Sequence, residues 1–295
     1  MDGSLSSGRL SLRCFRADRA PGVSPRAPLD SPIVDGMRCL LFSVILVLGA
    51  VIPTADARRG ALRLMTYNLN YANPDFGKTL DAIAAADVDI VLLQEVSERW
   101  RDALLERFAE RYPHRVFRIH TRMAGGLAVL SKLPIAREEL WAPPAGTGAW
   151  FPAERIVVTA PFGALQLLNV HLRPALDRGS WIRGYLTTPD VRRREIEAHW
   201  KGVDRETPTI VAGDFNEDAG GRAVAFLAQQ GLARVAAIGL RTWRYQVSAR
   251  GLPLDLLKMD IDHVMIDGRL SASEARVLDA GTSDHRPVVV TIGRR

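Results

Sequence analysis

One arrangement constrains the fold of this chain more than any other. A strand, a helix and a second strand occur twice, and each buried strand stops on a polar residue. In the first unit, residues 61–68 alternate, then run apolar, and end at Asn68-Leu69-Asn70. Asn73-Pro74-Asp75 is a helix-start cluster, and Phe76, Leu80, Ile83 and Ala84 follow at helical spacing. Residues 88–93 form the second strand, which stops at Gln94-Glu95. In the second unit, residues 155–159 and 164–171 make a hairpin about Pro161-Phe162-Gly163 and stop at His171-Leu172. Thr188-Pro189-Asp190 opens a helix, with Thr as N-cap and Pro in the first turn, and residues 207–214 close the unit on Asp214 and Asn216. Right-handed crossovers make the strands of each unit parallel and put their ends on one side. Asn68 therefore answers to His171, and Glu95 to Asp214. Carboxyl ends of strands in an α/β sheet are where such folds gather their chemistry.

The chain between and after these units adds further strands. Ser97 caps a helix whose inner stripe is Trp100, Leu104, Leu105 and Phe108. Residues 115–120, 126–131 and 135–141 read as strands. Residues 142–152 are rich in Pro, Gly and aromatics and read as an exposed loop; Trp150 and Phe151 either line a substrate or plug the sheet end. Residues 221–230 form a helix closed by Gly231, 241–245 a strand or its approach, 258–266 a strand with acids at its start, and 288–292 the last strand. His114, His120 and His199 read as surface residues. His263 falls on the face opposite Asp262, because strand neighbours alternate. Arg155, at a strand start, serves either a phosphate contact or a surface salt bridge.

The N-terminal region differs in composition. Residues 1–36 are rich in Ser, Arg, Pro and Gly without apolar period, and read as a disordered extension or a mis-assigned start preceding Met37. Met37-Arg38, the apolar run 39–52 and Ala55-Asp56-Ala57 then have the layout of a signal peptide. The run is short for a membrane span, which needs about 20 apolar residues; an uncleaved anchor formed by residues 39–52 is the alternative. The chain's two cysteines, Cys14 and Cys39, both precede this boundary. Residues 58–295 therefore form one cysteine-free domain, expected to be periplasmic or secreted. The net charge of +6 falls only to +5 there, because residues 1–57 hold six Arg and five acidic residues. A mildly basic surface suits anionic partners, although Arg is spread along the chain.

The polar set Asn68, Glu95, His171, Asp214, Asn216, Asp262, Asp284 and His285 is rich in oxygen donors. Such donors suit a hard cation that keeps waters for a phosphate. With no Cys and no His-x-x-x-His pair, zinc is disfavoured. His285 can take a proton from water with Asp262 orienting its ring, and His171 and Asn216 can hold phosphate oxygens as charge develops. The sequence contains neither a Gly-x-Ser-x-Gly elbow nor a Walker loop, against serine hydrolases and P-loop enzymes.

The segments Thr66-Tyr67-Asn68, Leu93-Gln94-Glu95, Asn169-Val170-His171-Leu172, Gly213-Asp214-Phe215-Asn216, Ile261-Asp262-His263 and Ser283-Asp284-His285-Arg286-Pro287-Val288 occur in one order. Together they resemble the endonuclease/exonuclease/phosphatase superfamily. The resemblance implies a four-layer α/β sandwich, two packed mixed β-sheets with helices on the outer faces. It also implies a phosphoesterase dependent on Mg²⁺, with Mn²⁺ as an alternative. On that resemblance Glu95 is the main metal ligand with Asn68 and Asp284 beside it. His285 with Asp262 handles the attacking water, Asp214 and Asn216 position nucleophile and phosphate, and His171 stabilises the transition state. The implied partner is a phosphate-ester substrate, either nucleic acid or phospholipid, with the protein a monomer lacking a stable protein partner. A nuclease-like phosphodiesterase is the first expectation and a sphingomyelinase-like lipid phosphodiesterase the second. A catalytically silent binding protein on the same scaffold is the alternative of another class. For a nuclease, Arg173, Arg178, Arg183 and the run Arg192-Arg193-Arg194 offer a basic groove; for a lipid enzyme, Trp150-Phe151 and Trp181-Ile182 offer an apolar lip. A solvated helix face is the plainer account of the arginine run.

Overall fold

The computed structural model describes residues 60–249 and 252–295. The expected extension and leader, residues 1–57, lie outside the described residues.

Both expected units form. Strand β1 (Ala61–Asn68), helix α1 (Phe76–Ala86) and strand β2 (Ile90–Gln94) come first. β1 and β2 pair in parallel, with Asn68 opposite Gln94. Asp75 caps α1 by accepting from the Lys78 amide, and Asp87 ends it in the left-handed region at φ 45°. Helix α2 (Glu98–Phe108) is capped by Ser97, and strands β3 (His114–Arg118), β4 (Leu127–Ser131) and β5 (Ile135–Trp141) follow. The second unit comprises β6 (Ala153–Ala160), β7 (Gly163–His171), the short helix α3 (Trp181–Thr187), α4 (Pro189–Trp200) and β8 (Thr209–Asp214). β7 and β8 are parallel, with His171 opposite Asp214. Pro189 does open α4, but Thr188 makes no side-chain cap: its hydroxyl donates to the Gly184 carbonyl and accepts from Arg192.

Helix α5 (Arg222–Gln229) precedes the short strands β9 (Leu232–Arg234) and β10 (Ile238–Gly239). The strand expected over 258–266 is in fact two, β12 (Leu252–Met259) and β13 (Asp262–Asp267), and β12 pairs with β11 (Trp243–Ala249) in a separate hairpin. The break has a cause. The Thr242 hydroxyl accepts the amides of Ile261 and Asp262 at 3.0 and 3.1 Å, drawing them out of one ladder and into the next. β14 (Leu270–Val277), which the sequence pattern did not reveal, and β15 (Val288–Arg294) complete the chain.

The strands assemble into a seven-stranded sheet, ordered β10-β14-β15-β1-β2-β4-β3, and a six-stranded sheet, ordered β5-β6-β7-β8-β13-β9. Alternation along each strand divides the core. Leu64, Leu92 and Val290 of the larger sheet meet Ile156, Leu167, Ile210 and Val264 of the smaller one between the sheets. Met65, Val91 and Leu93 turn outward onto α1 and α2 through Ile83, Trp100 and Leu104. Leu168, Val211 and Met265 turn outward onto α4 and α5 through Ile196, Trp200, Ala223 and Leu227. The result is the expected four-layer sandwich. Strands covered on both faces read as continuous apolar runs, and each such Leu or Ile adds about 1.5–3 kcal/mol when withdrawn from water.

Two surface assignments fail. His199 is buried in α4 and stacks on Trp141 at 6.1 Å, and burial lowers its pKa to about 4. Arg192 is also buried, its guanidinium pairing with Glu217 at 3.0 Å and donating to the Arg173 carbonyl at 3.2 Å. Arg193 and Arg194 keep the solvated face expected of the run.

Candidate active site

The two sheets bring the polar strand ends to one edge of the sandwich. Asn68 ends β1, and Glu95 follows β2 at φ 58°, which turns its side chain out of the ladder. His171 and Asp214 end β7 and β8 in register, and β13 places Asp262 opposite Asp214 from the other direction. Ser283-Asp284-His285 approach β15; the Ser283 hydroxyl donates to the Asn68 carbonyl at 2.8 Å and accepts the His285 amide at 3.1 Å.

Asp214 is the hub. Its Oδ2 accepts from Asn68 Nδ2 at 3.0 Å and lies 3.5 Å from His171 Nε2 and 3.6 Å from His285 Nε2. The last two are ion-pair separations rather than hydrogen bonds. Its Oδ1 accepts the Asn216 amide at 2.8 Å. The other face of the His285 ring belongs to Asp262, whose two oxygens lie 2.9 and 3.1 Å from Nδ1. His285 therefore sits between two buried carboxylates. Asn68 Nδ2 also reaches Glu95 Oε1 at 3.2 Å, and His171 Nε2 lies 3.9 Å from the same oxygen. His171 Nδ1 contacts the Ala124 carbonyl at 2.9 Å, and Phe151 stacks on the ring at 4.5 Å.

Burial dominates the electrostatics. Burial alone would lower the His285 pKa, but the charges of Asp262 and Asp214 outweigh it and push the ring to about 10. Asp214 is raised to about 7 by burial and by the charge of Asp262, against the pull of His285 and its hydrogen bonds. Burial lowers the His171 pKa, with Glu95 opposing. The two carboxylates thus favour the charged form of His285, and burial favours the neutral form of Asp214.

Two expected assignments change. Arg155 is not at the site: its guanidinium is buried in the six-stranded sheet, bonded to Gln166 and paired with Glu139 at 2.9 Å. Asn68 presents its amide nitrogen, not its oxygen, to the carboxylates, because Oδ1 is occupied by the Asn70 amide at 3.0 Å. His285 makes the contact with Asp262 that the sequence suggested, Nδ1 lying 2.9 Å from Oδ2. Asn216 stands beside Asp214 at φ 53° with its side-chain amide on the Leu172 carbonyl at 3.0 Å. Asp284 accepts from Asn70 Nδ2 and Trp243 Nε1, both at 2.9 Å. Asn70 and Trp243 were missed as site-building residues. The pair Asn68-Leu69-Asn70 held a signal for the first, since Asn tolerates the left-handed φ of 57° found there.

Asp214, Asp262 and His285 form a cluster whose ligand atoms lie within 4.8 Å of one another. The imidazole already fills the space between its two acids, which makes this a proton-sharing group more than a cage. Glu95 fits a hard cation better. It is partly exposed, and Oε1 and Oε2 each accept one donor, Asn68 Nδ2 and the Tyr71 amide, leaving lone pairs free. A cation at Glu95 would favour rotation of the Asn68 amide, bringing its oxygen forward.

A sequence model of the Endonuclease/Exonuclease/phosphatase family matches residues 65–285, from β1 to His285. The chain belongs to the endonuclease/exonuclease/phosphatase family. Enzymes of this family hydrolyse phosphoester bonds and are generally dependent on a divalent metal. Similar solved structures include an endonuclease/exonuclease/phosphatase from Bacteroides vulgatus, 17% identical, TM-score 0.60, covering 80% of this chain and 99% of that one. Another, from Beutenbergia cavernae, is 19% identical with TM-score 0.58, covering 80% and 72%. Sphingomyelinase C from Streptomyces griseocarneus is 21% identical with TM-score 0.55, covering 80% and 99%. At these identities the likeness is one of fold. No curated protein matches the chain.

Proposed function

We propose that this family member is an exported, divalent-metal-dependent phosphodiesterase that cleaves its substrate by attack of water. The observation that carries this reading is the Asp262–His285–Asp214 group, with Asn68 joining Asp214 to Glu95. Glu95, with Asp284 and a rotated Asn68, would hold Mg²⁺ or Mn²⁺. When bound, the ion would polarise a phosphoryl oxygen and neutralise developing charge.

The chain's own groups supply the rest. Asp214, held near neutrality by burial, takes the proton of the attacking water. The Asn216 amide fixes the orientation of that carboxylate. Protonated His285, oriented by Asp262, faces the oxygens on which negative charge builds, with His171 beside it. Phe151 closes the far face of His171 to water.

Export is supported by the signal-like layout of residues 37–57 and the absence of cysteine after Cys39. Among the described residues no helix is long and apolar enough to cross a membrane. N-terminal sequencing of the exported protein tests this: a mature chain beginning near residue 58 supports a cleaved leader, and one retaining residues 39–52 an anchor.

The activity test is hydrolysis of the soluble diester bis(p-nitrophenyl) phosphate with Mg²⁺ or Mn²⁺. His285→Ala is expected to lower turnover by about 10²–10⁴-fold while the protein stays folded. Near-normal hydrolysis by that variant refutes the role of His285. If wild type turns over neither this diester nor DNA, RNA, sphingomyelin or phosphate monoesters with either ion, the silent binding protein is the better reading.

A further inference from the structure

Helix α3, which joins β7 to α4, carries its apolar residues on the wrong side for a soluble protein. Trp181, Ile182, Tyr185 and Leu186 are 58%, 80%, 60% and 74% exposed. Their spacing of i, i+1, i+4 and i+5 places all four on one face of a helix turning about 100° per residue. The opposite face does the packing. Gly184 is buried so closely on Ala175 that a Cβ would lie 2.3 Å from its backbone. Ser180 caps the helix through the Arg183 amide, and Asp177 holds both Arg183, at 2.7 Å, and Thr187. The helix is thus fixed from within by small and polar groups, with its apolar stripe turned to solvent.

A second apolar surface belongs to the hairpin that grows from the site. The β11–β12 hairpin is rooted on the site: Trp243 bridges to His285, and the Arg244 amide donates to the Asp284 carbonyl at 3.0 Å. Beyond this root Tyr245, Leu254, Leu256 and Leu257 are all exposed. One apolar element therefore follows His171 in the chain, and the other grows from Asp284 and His285.

The charge around these elements selects their occupant. Residues 174–187 carry the exposed Arg178 and Arg183 against Asp177, and residues 241–260 carry four basic side chains against two acids. Trp and Tyr beside Ile and Leu on one face, with arginines at its flank, is the make-up of a helix that lies in a lipid headgroup region. A nucleic acid fits less well. Of the arginines that would line a phosphate groove, Arg155 and Arg192 are buried in pairs, and Arg173 is buried with its guanidinium 3.2 Å from the Trp150 ring centroid. A second copy of the chain also fits less well. α3 is seven residues long, about two turns, whereas a stable dimer covers about 800 Å² on each partner.

We infer that α3 and the β11–β12 hairpin form an interfacial surface that docks the protein on anionic phospholipid bilayers, so that the site takes its phosphodiester from a lipid headgroup. This deepens the phosphodiesterase reading and rests on it for the catalytic consequence; the docking itself is separately measurable. The experiment is co-sedimentation of the protein with vesicles of phosphatidylcholine alone and of phosphatidylcholine mixed with phosphatidylglycerol, in parallel with hydrolysis of bis(p-nitrophenyl) phosphate. Wild type is expected to bind the anionic vesicles more tightly than the neutral ones, and less tightly as salt rises. Trp181→Ser/Leu186→Ser, which alters only exposed side chains, is expected to weaken vesicle partition about tenfold or more and to leave soluble-diester turnover unchanged. The inference is overturned if wild type stays in the supernatant with anionic vesicles, or if the double variant binds them as wild type does. It is equally overturned if the variant instead abolishes a concentration-dependent dimer or binding to a short DNA duplex. Failure to hydrolyse the soluble diester refutes the phosphodiesterase reading and leaves the vesicle result to decide docking by itself.

Discussion

Gly213→Ala tests how closely the two parallel strands of the second unit must approach for the site to exist. Gly213 lies in β8, one residue before Asp214, at φ 143° and opposite Val170 of β7. A Cβ there would lie 1.9 Å from the Val170 carbonyl oxygen and 2.9 Å from its carbon. Real Cβ contacts stop near 3.0 Å, so β7 and β8 must separate by more than 1 Å. The neighbour is backbone in a ladder and has no rotamer to yield. Strain from the unfavourable φ costs about 1–3 kcal/mol, and overpacking adds about 1–3 kcal/mol. We expect a loss of about 4 kcal/mol in urea unfolding followed by tryptophan fluorescence, within the 5–15 kcal/mol typical of a domain. The folded fraction should show kcat on bis(p-nitrophenyl) phosphate reduced about 100-fold, because His171 and Asp214 sit at the end of the displaced pair. Gly163→Ala is the control: its φ is 113°, but nothing lies within 4 Å of the new carbon, so it carries the backbone strain without the clash. Equal stability of the two variants, with normal kcat for Gly213→Ala, would falsify the close-approach argument.

Three other perturbations probe different groups. Glu195 is buried with Oε1 unpartnered, and burial, opposed by the Arg173 amide and by Arg192, raises its pKa from 4.5 to about 8. An acid with a raised folded-state pKa holds its proton more tightly folded than unfolded, so its contribution to stability falls as pH rises from 4.5 to 8. Glu195→Gln should remove that slope, gaining about 3–4 kcal/mol relative to wild type between pH 5 and pH 8 in urea titrations; parallel pH profiles would sink the assignment. Asn169→Leu breaks buried bonds to Gln94, Leu93 and Ala128 and should cost about 2–4 kcal/mol in the same assay. Adding Gln94→Leu should recover part of that loss, and strictly additive losses would show that the two side chains are not coupled. Glu95→Gln should raise the Mg²⁺ concentration needed for half-maximal hydrolysis by about tenfold or more, and an unchanged metal titration would move the cation elsewhere.

What the sequence disclosed depended on whether the signal was local. β1, β2, β7 and β8 are covered on both faces, so they stand out as apolar runs, and a polar residue closing such a run is conspicuous. That made Asn68, Glu95, His171 and Asp214 visible together. β14 lies next to the two-residue edge strand β10, and the β11–β12 hairpin lies outside both sheets. Their side chains are largely exposed, so Leu-Ser-Ala-Ser-Glu-Ala-Arg-Val has no apolar run to betray a strand. The fate of the arginines was beyond local reading altogether. Whether Arg192 faces solvent is decided by Glu217, 25 residues away, and Arg155 is claimed by Glu139, 16 residues earlier. The second acid beside His285 was hidden for the same reason. Asp262 was a foreseeable partner, but the other carboxylate near the ring is Asp214, brought across only by the antiparallel pairing of β13 with β8.

That pairing exposes a demand on the fold that the strand-end motifs do not state. The site is divided between the sheets. Asn68, Glu95, Asp284 and His285 hang from the seven-stranded sheet, and His171, Asp214 and Asp262 from the six-stranded one. Apolar packing holds the sheets together but tolerates small slides, because Leu, Ile and Val contacts have little directional preference. A directional contact is needed near the chemistry, and Gln94 and Asn169 supply it. Gln94 Nε2 donates across the sandwich to Asn169 Oδ1 at 2.7 Å, while Asn169 Nδ2 reaches the carbonyls of Leu93 and Ala128. Gln94 immediately precedes Glu95, and Asn169 lies two residues before His171 on the same face of β7. Buried polar groups of this kind add little net stability when satisfied and cost much when mismatched. Their effect is to penalise every sheet-to-sheet offset except the one that brings Asn68 within 3.0 Å of Asp214.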